Sequence, residues 1–220
     1  MKRLTLAFMV AVLSLFLFAA GASALTTPVQ PADTPEENLL GSGGVLDTLY
    51  GMDNLTRVDD NLDRFWIDTN GGATAEARYA GFDHEFGVYN DGTYTKMFDV
   101  GGSGLSATGS GTVDFADGDD FQFALNVVNT GTMWLSNHPE NPGNFDSMVT
   151  HYIESGESAG NFVVAWEDLG AGSDRDYNDV VVELHGVEGT NPVPEPATML
   201  LLGTGLLGVA AIGRKKLARK

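Results

Sequence analysis

The sequence predicts an all-β domain, an antiparallel β-sandwich or jelly roll, flanked by an N-terminal signal helix and a C-terminal transmembrane helix. Three observations carry that prediction. Between residues 45 and 187 the apolar residues alternate with a period of two, and no segment sustains a 3.6-residue period. Clusters of Gly, Asp and Asn punctuate the alternation where hairpin turns are needed. Two long uncharged apolar runs, 4–20 and 199–213, lie at the chain ends rather than inside the domain.

The elements follow in order. Residues 1–24 read as a signal peptide. Lys2 and Arg3 precede the apolar run, and Ala22 and Ala24 have the small-residue spacing at which a signal peptidase cuts. Residues 25–44 read as a Thr/Pro-rich linker. Within it Thr34-Pro35-Glu36-Glu37 has the form of a capping box, and Gly41, Gly43 and Gly44 stop any helix that starts there. Residues 45–50 are expected to form another turn or a first strand, and Asp59, Asp60 and Asp63 a solvated turn ahead of residues 65–67.

Strands then dominate residues 45–187, the β-sandwich domain. Ala75, Ala77 and Tyr79 alternate with Thr74, Glu76 and Arg78. Residues 84–89 and 93–100 flank Asn90-Asp91-Gly92, a hairpin signal with glycine where a positive φ is needed. Residues 109–115 lead to the turn Asp117-Gly118-Asp119. Phe121, Phe123, Leu125 and Val127 then form one face of a strand, with Gln122 and Asn126 on the other. Residues 132–135, 147–153, 162–166 and 180–184 complete the set. Gly101-Gly102-Ser103-Gly104 reads as a loop rather than a phosphate cradle, because no helix follows it.

Residues 188–196 form a second linker, 197–213 the transmembrane helix and 214–220 a basic cytoplasmic stub. At about 1.5 Å per residue that helix is a little short of a hydrocarbon core about 30 Å thick. The five cations after it resist translocation. Pro194 and Pro196 hold residues 193–196 extended, as an exposed strand that an enzyme can read. Val193-Pro194-Glu195-Pro196, the apolar run and Arg214-Lys215-Lys216 together resemble the PEP-CTERM sorting signal of Gram-negative bacteria. The resemblance implies processing by an exosortase, a membrane-embedded cysteine transpeptidase-like enzyme. It also implies an inner-membrane-anchored precursor and a destination at the cell surface or in the extracellular matrix. The alternative is an ordinary single-pass anchor with a proline-rich stalk.

Charge narrows the partners. Seven of the twelve Lys and Arg residues lie in the two end segments, while 29 of the thirty Asp and Glu residues lie in residues 25–193, which leaves that region a net charge of −24. Nucleic-acid binding needs a basic footprint and is excluded. Docking on anionic lipid is disfavoured for the same reason. The absence of cysteine excludes thiol catalysis, iron–sulfur clusters and thiolate zinc sites. Calcium, which takes oxygen ligands, is the metal this composition suits.

One segment concentrates the chemistry. Glu167 and Asp168 end an apolar strand, a glycine loop follows, and Asp174, Asp176 and Asn178 then recur at i, i+2 and i+4 before Asp179. That spacing turns oxygen side chains toward one centre, as in the first half of an EF-hand loop. The rest of the EF-hand is missing: position six is Asp179 rather than Gly and position twelve is His185 rather than Glu. A calcium loop on a β-sandwich is the favoured reading for Glu167, Asp168, Asp174, Asp176, Asn178 and Asp179. The alternatives are that these residues cap turns or that they serve catalysis.

Trp166-Glu167-Asp168-Leu169 with Ser173-Asp174-Arg175-Asp176-Tyr177-Asn178-Asp179-Val180-Val181 resembles the signature of domain of unknown function 4114. An upstream family turn and strand look like residues 141–149, with Met148 where a histidine is usual. The resemblance covers residues 84–186 and implies an extracellular, calcium-stabilised β-domain without an assigned reaction. His84, His138, His151 and His185 form neither H-x-x-x-H nor H-x-H, so a secreted hydrolase is the weakest reading. Trp66, Trp134 and Trp166 read as core aromatics. Their alternative role, stacking on sugars, belongs to a rival reading in which the protein is a carbohydrate-binding module or adhesin of the exopolysaccharide. The sequence therefore points to an exported, non-enzymatic surface or biofilm-matrix protein.

Overall fold

A computed structural model of the protein describes residues 25–29, 37–112, 119–170 and 172–190. The signal peptide with Ala22 and Ala24, the start of the capping box, the turn at residues 117–118 and the sorting tail with Val193, Pro194, Glu195 and Pro196 lie outside them.

Among the described residues the alternating segments form ten strands: β1 (Leu55–Arg57), β2 (Trp66–Ala77), β3 (His84–Asn90), β4 (Thr93–Val100), β5 (Ser110–Thr112), β6 (Asp120–Val127), β7 (Thr132–Leu135), β8 (Met148–Ile153), β9 (Phe162–Trp166) and β10 (Val180–Gly189). Every pairing is antiparallel. One sheet runs β1-β8-β9-β10-β2, with β5 also on β2, and the other runs β7-β6-β3-β4. They join where Trp66 and Ile67 of β2 pair with Phe121 and Asp120 of β6.

The sheets face each other across an aromatic core. Phe86, Phe98, Phe121, Phe123 and Leu125 from the second sheet meet Trp66, Val164, Trp166, Val182 and Leu184 from the first. Phe86 stacks on Phe123 at 5.5 Å, and Trp166 meets Phe86 edge-on at 6.3 Å. Each large side chain removed from water contributes roughly 1.5–3 kcal/mol. The period-two reading of Phe121, Phe123, Leu125 and Val127 thus corresponds to one inward face.

The β3–β4 turn follows from its residues. Asn90 pairs with Thr93, and Asp91 and Gly92 take φ of 47° and 80°, the left-handed pair that a two-residue hairpin loop requires. A register shift falls between Phe86 and Gly87. A Cβ at Gly87 would stand 2.3 Å from the Thr95 carbonyl oxygen, so only glycine fits that approach.

The first sheet is buried on its outer face as well. Val149, Ile153, Val163, Ala165 and Val181 pack there against Leu39, Val45 and Leu46. Burial on both sides explains why β10 opens with three consecutive valines instead of alternating. Val45 and Leu46 belong to a short helix, α1 (Val45–Tyr50), where a turn or strand was expected. Asp47 organises it: its carboxylate accepts from the Gly43 N–H at 2.8 Å and the Met52 N–H at 3.1 Å. Gly51 ends it at φ 79°.

Two further expectations are corrected. β2 begins at Trp66 and is far longer than the alternation at residues 74–79 suggested. Asp60 and Asp63 are buried, 4% and 2% exposed, rather than solvated. Asp60 pairs with the Arg57 guanidinium and accepts the Thr26 N–H at 2.6 Å. Thr26 Oγ1 also donates to Asp146 Oδ2 at 2.8 Å, so residues 25–29 are stitched to the sandwich.

Candidate functional site

β9 carries Trp166 into the core and stops, and the chain leaves the sheet through Glu167 and Asp168 before β10 resumes at Val180. The loop between is shaped by its own backbone. Arg175 and Tyr177 adopt φ of 61° and 58°, conformations that cost non-glycine residues energy and persist only where the surroundings enforce them. Here the enforcement is visible. The Tyr177 ring is buried, and its hydroxyl donates to the Asp146 carbonyl at 2.6 Å. Arg175 lies over the Phe145 ring at 5.5 Å, and its carbonyl accepts from Val29 N–H at 2.7 Å. Asn178 donates its side-chain amide to the Glu37 carbonyl.

These restraints bring the predicted acids together. Oxygens of Glu167, Asp174 and Asp176 lie within 4.8 Å of one another, as do oxygens of Glu167, Asp168 and Asp179. Glu167 is common to both groups and is 1% exposed. Its Oε1 accepts from Leu169 N–H at 3.4 Å, whereas Oε2 has no hydrogen-bond partner among the described residues. Asp179 Oδ2 accepts from Asp168 N–H at 2.8 Å, closing the loop, and Asp176 Oδ1 accepts from Asn178 N–H at 3.3 Å. The Asn178 side chain lies beside Asp176, with its amide donating to the Glu37 carbonyl.

Burial dominates the electrostatics. It pushes the Glu167 carboxyl up, and Asp176 up to about 6. Asp179 rises to about 9, through burial first and then through the neighbouring Asp168 and Glu167. Carboxyls so placed hold protons near neutral pH unless a cation takes their place. An all-oxygen set of carboxylates on a tight loop is the donor chemistry of calcium rather than of zinc or copper.

Two further residues reach the site that the sequence did not connect with the acidic loop. His84 Nε2 lies 3.0 Å from Asp168 Oδ2, and Trp134 Nε1 donates to the Asp168 carbonyl at 2.8 Å. No local pattern could reveal them, because they sit 84 and 34 residues away from Asp168. Trp66, Trp134 and Trp166 are 1%, 4% and 0% exposed, which makes them core residues and removes them as sugar platforms.

Comparison with known proteins agrees with the motifs. The model of a domain of unknown function, DUF4114, matches residues 110–186, and that of the PEP-CTERM protein-sorting motif matches residues 192–216. The chain therefore carries both signatures: it is an exported, exosortase-sorted protein with a membrane-anchored precursor of the Gram-negative type. Among the described residues no helix is long and apolar enough to cross a membrane, and the sorting helix lies outside them. No curated protein matches the sequence. Among solved structures, the Ralstonia solanacearum high-affinity mannose-binding lectin is 21% identical, with 55% of this chain and 93% of that chain covered at a TM-score of 0.35. The Chromobacterium violaceum lectin CV2L, solved in complex with alpha-methyl-fucoside, is 18% identical, with coverage of 56% and 94% and a TM-score of 0.34. Likenesses this distant say nothing of what the present chain binds.

Proposed function

We propose that this protein is a non-enzymatic component of the bacterial cell surface or exopolysaccharide matrix whose β-domain is locked by calcium in the β9–β10 loop. The observation that carries the reading is Glu167. It is a carboxyl removed from water at the vertex shared by two groups of acids, and its Oε2 has no N–H or hydroxyl donor among the described residues, only the neighbouring acid Asp179. A buried unpaired carboxylate costs several kcal/mol unless it is neutralised or coordinated. Calcium would satisfy Glu167, Asp174 and Asp176, with Asp168 and Asp179 behind them, and would tie β9 to β10.

Two experiments test this reading. Calorimetric titration of the full chain in detergent micelles with calcium should show saturable binding that Glu167→Gln abolishes; heats that match the buffer blank in both proteins remove the metal. Replacing Pro194, Glu195 and Pro196 by alanine should leave unprocessed precursor in the inner membrane, and normal processing of that variant would contradict the assigned destination.

A further inference from the structure

A second constellation lies at the other end of β3. That strand starts at His84, against Asp168, and ends at Tyr89 and Asn90. Six residue steps at about 3.3 Å place its end roughly 20 Å from the acidic loop. There the β3–β4 turn, the start of β6 and the segment after β7 enclose a cleft of about 300 Å³, at the small end of the range for small-molecule sites. Phe65 and Tyr89, both half-buried, line it together with Asp91, Asp120, Gln122 and Glu140.

The polar groups of the cleft are fixed, and their arrangement is one-sided. Gln122 is 6% exposed; its Nε2 donates to Glu140 Oε1 at 3.2 Å, and Asn137 Nδ2 donates to the same oxygen at 2.6 Å. This orientation of the amide leaves Gln122 Oε1 buried with no donor. Asn90 Nδ2 donates to the Asp120 carbonyl at 2.9 Å, which ties the hairpin turn to β6. The amide donors of the cleft are thus committed to the protein, Glu140 is engaged by two of them, and the Gln122 amide oxygen with the Asp91 and Asp120 carboxylates remains to accept. What complements them is a ligand rich in donors and positively charged. Two aromatic side chains beside these acceptors favour a ring with an apolar C–H face over a flexible chain. Acidic sugars are repelled, since the three carboxylates add to a region of net charge −24.

We propose that this cleft binds an amino sugar, a hexosamine ring bearing a free ammonium. The ammonium is held by the Asp91 and Asp120 carboxylates, a ring hydroxyl donates to Gln122 Oε1, and Tyr89 and Phe65 cover the ring face. The site is independent of the calcium loop, and its ligand class suits a polysaccharide whose amines are not acetylated.

The test compares four probes at physiological salt by saturation-transfer NMR and calorimetry on the full chain in micelles: a glucosamine tetramer, its N-acetylated counterpart, cellotetraose and tetralysine. The glucosamine tetramer should bind best. Acetylation, Tyr89→Ala and Asp91→Asn should each weaken binding about tenfold or more, the loss expected for a charge-assisted contact. Asparagine tolerates the positive φ at position 91, so that variant keeps the turn. Asp53→Asn, at an exposed turn elsewhere, should change nothing, and Glu167→Gln should leave sugar affinity intact even where calcium binding is lost. Three results overturn the proposal: equal weakening by Asp53→Asn and Asp91→Asn, which means diffuse charge attraction; tighter binding of tetralysine, which means a peptide site; or no binding of the glucosamine tetramer.

Discussion

Chelating calcium should lower the melting temperature of the β-domain by about 5–11 °C. Glu167, Asp174 and Asp176 place oxygens within 4.8 Å of one another. Two full negative charges at that distance repel by about 3.5 kcal/mol at an effective dielectric constant of 20. An ion-free loop must take up protons or spread, and either route loosens the join between β9 and β10. With free calcium at about 100 times its dissociation constant, linkage supplies about 2.7 kcal/mol. A domain of this size shifts by about 2–4 °C per kcal/mol, which yields the stated range. The assay is near-ultraviolet circular dichroism of the full chain in micelles, heated with excess calcium or with chelator, because the buried Trp166 adjoins the loop. Magnesium serves as the control, since it gives up its waters reluctantly. Melts that superimpose with calcium and with chelator, in wild type and in Glu167→Gln alike, would refute the reasoning.

Three further outcomes are expected. Asp63 is pushed up to about 8, chiefly by burial, with Asp146 and Asp60 adding to the rise. It therefore stays protonated in the folded chain while it ionises in the unfolded one, and its contribution to stability is lost as pH rises. Between pH 6.5 and 8 the loss is about 2 kcal/mol at about 1.36 kcal/mol per unit. His151, held down at about 4 by burial and by Arg57, is neutral in the folded chain there but partly protonated in the unfolded one near pH 6.5, which gives a smaller slope of opposite sign that wild type and Asp63→Asn share. The difference in urea stability between wild type and Asp63→Asn across that window isolates the effect, and parallel curves would contradict it. Trp66→Ala removes a side chain packed edge-on against Phe123 at 5.5 Å and Phe162 at 5.2 Å, so urea unfolding should show a loss of about 3–5 kcal/mol. Gly87→Ala drives a methyl group toward the Thr95 carbonyl and should cost about 1–3 kcal/mol in the same measurement.

Legibility in the sequence followed the range over which contacts act. The β3–β4 hairpin was readable because Asp91 and Gly92 state their own backbone geometry. The acidic loop was readable because its carboxylates fall within one short stretch between two apolar strands. The helix at Val45–Tyr50 was not, since six residues are too few to show a helical period and its stability comes from Val45 and Leu46 docking on the sheet. The burial of Asp60 was hidden too, because Thr26, one of its partners, lies 34 residues away. The amino-sugar cleft left no trace in the sequence: Phe65, Tyr89, Gln122 and Glu140 come from four separate segments. The tryptophans misled only as an alternative, since an aromatic on an alternating strand looks the same whether it faces the core or a sugar.

The end of β10 settles how the domain bears tension. Gly189 pairs with Trp66, and Thr190 N–H still donates to the Phe65 carbonyl at 2.9 Å. The strand is flanked by β2 along most of its length and by β9 along its first half. A pull at residue 190, from whatever holds the tail, runs along an interior strand of the first sheet. The hydrogen bonds on both sides then share the load in shear, whereas a strand at the rim would unzip one rung at a time. A pull on residue 190 along the strand axis would therefore load the β2 and β9 pairings of β10 together.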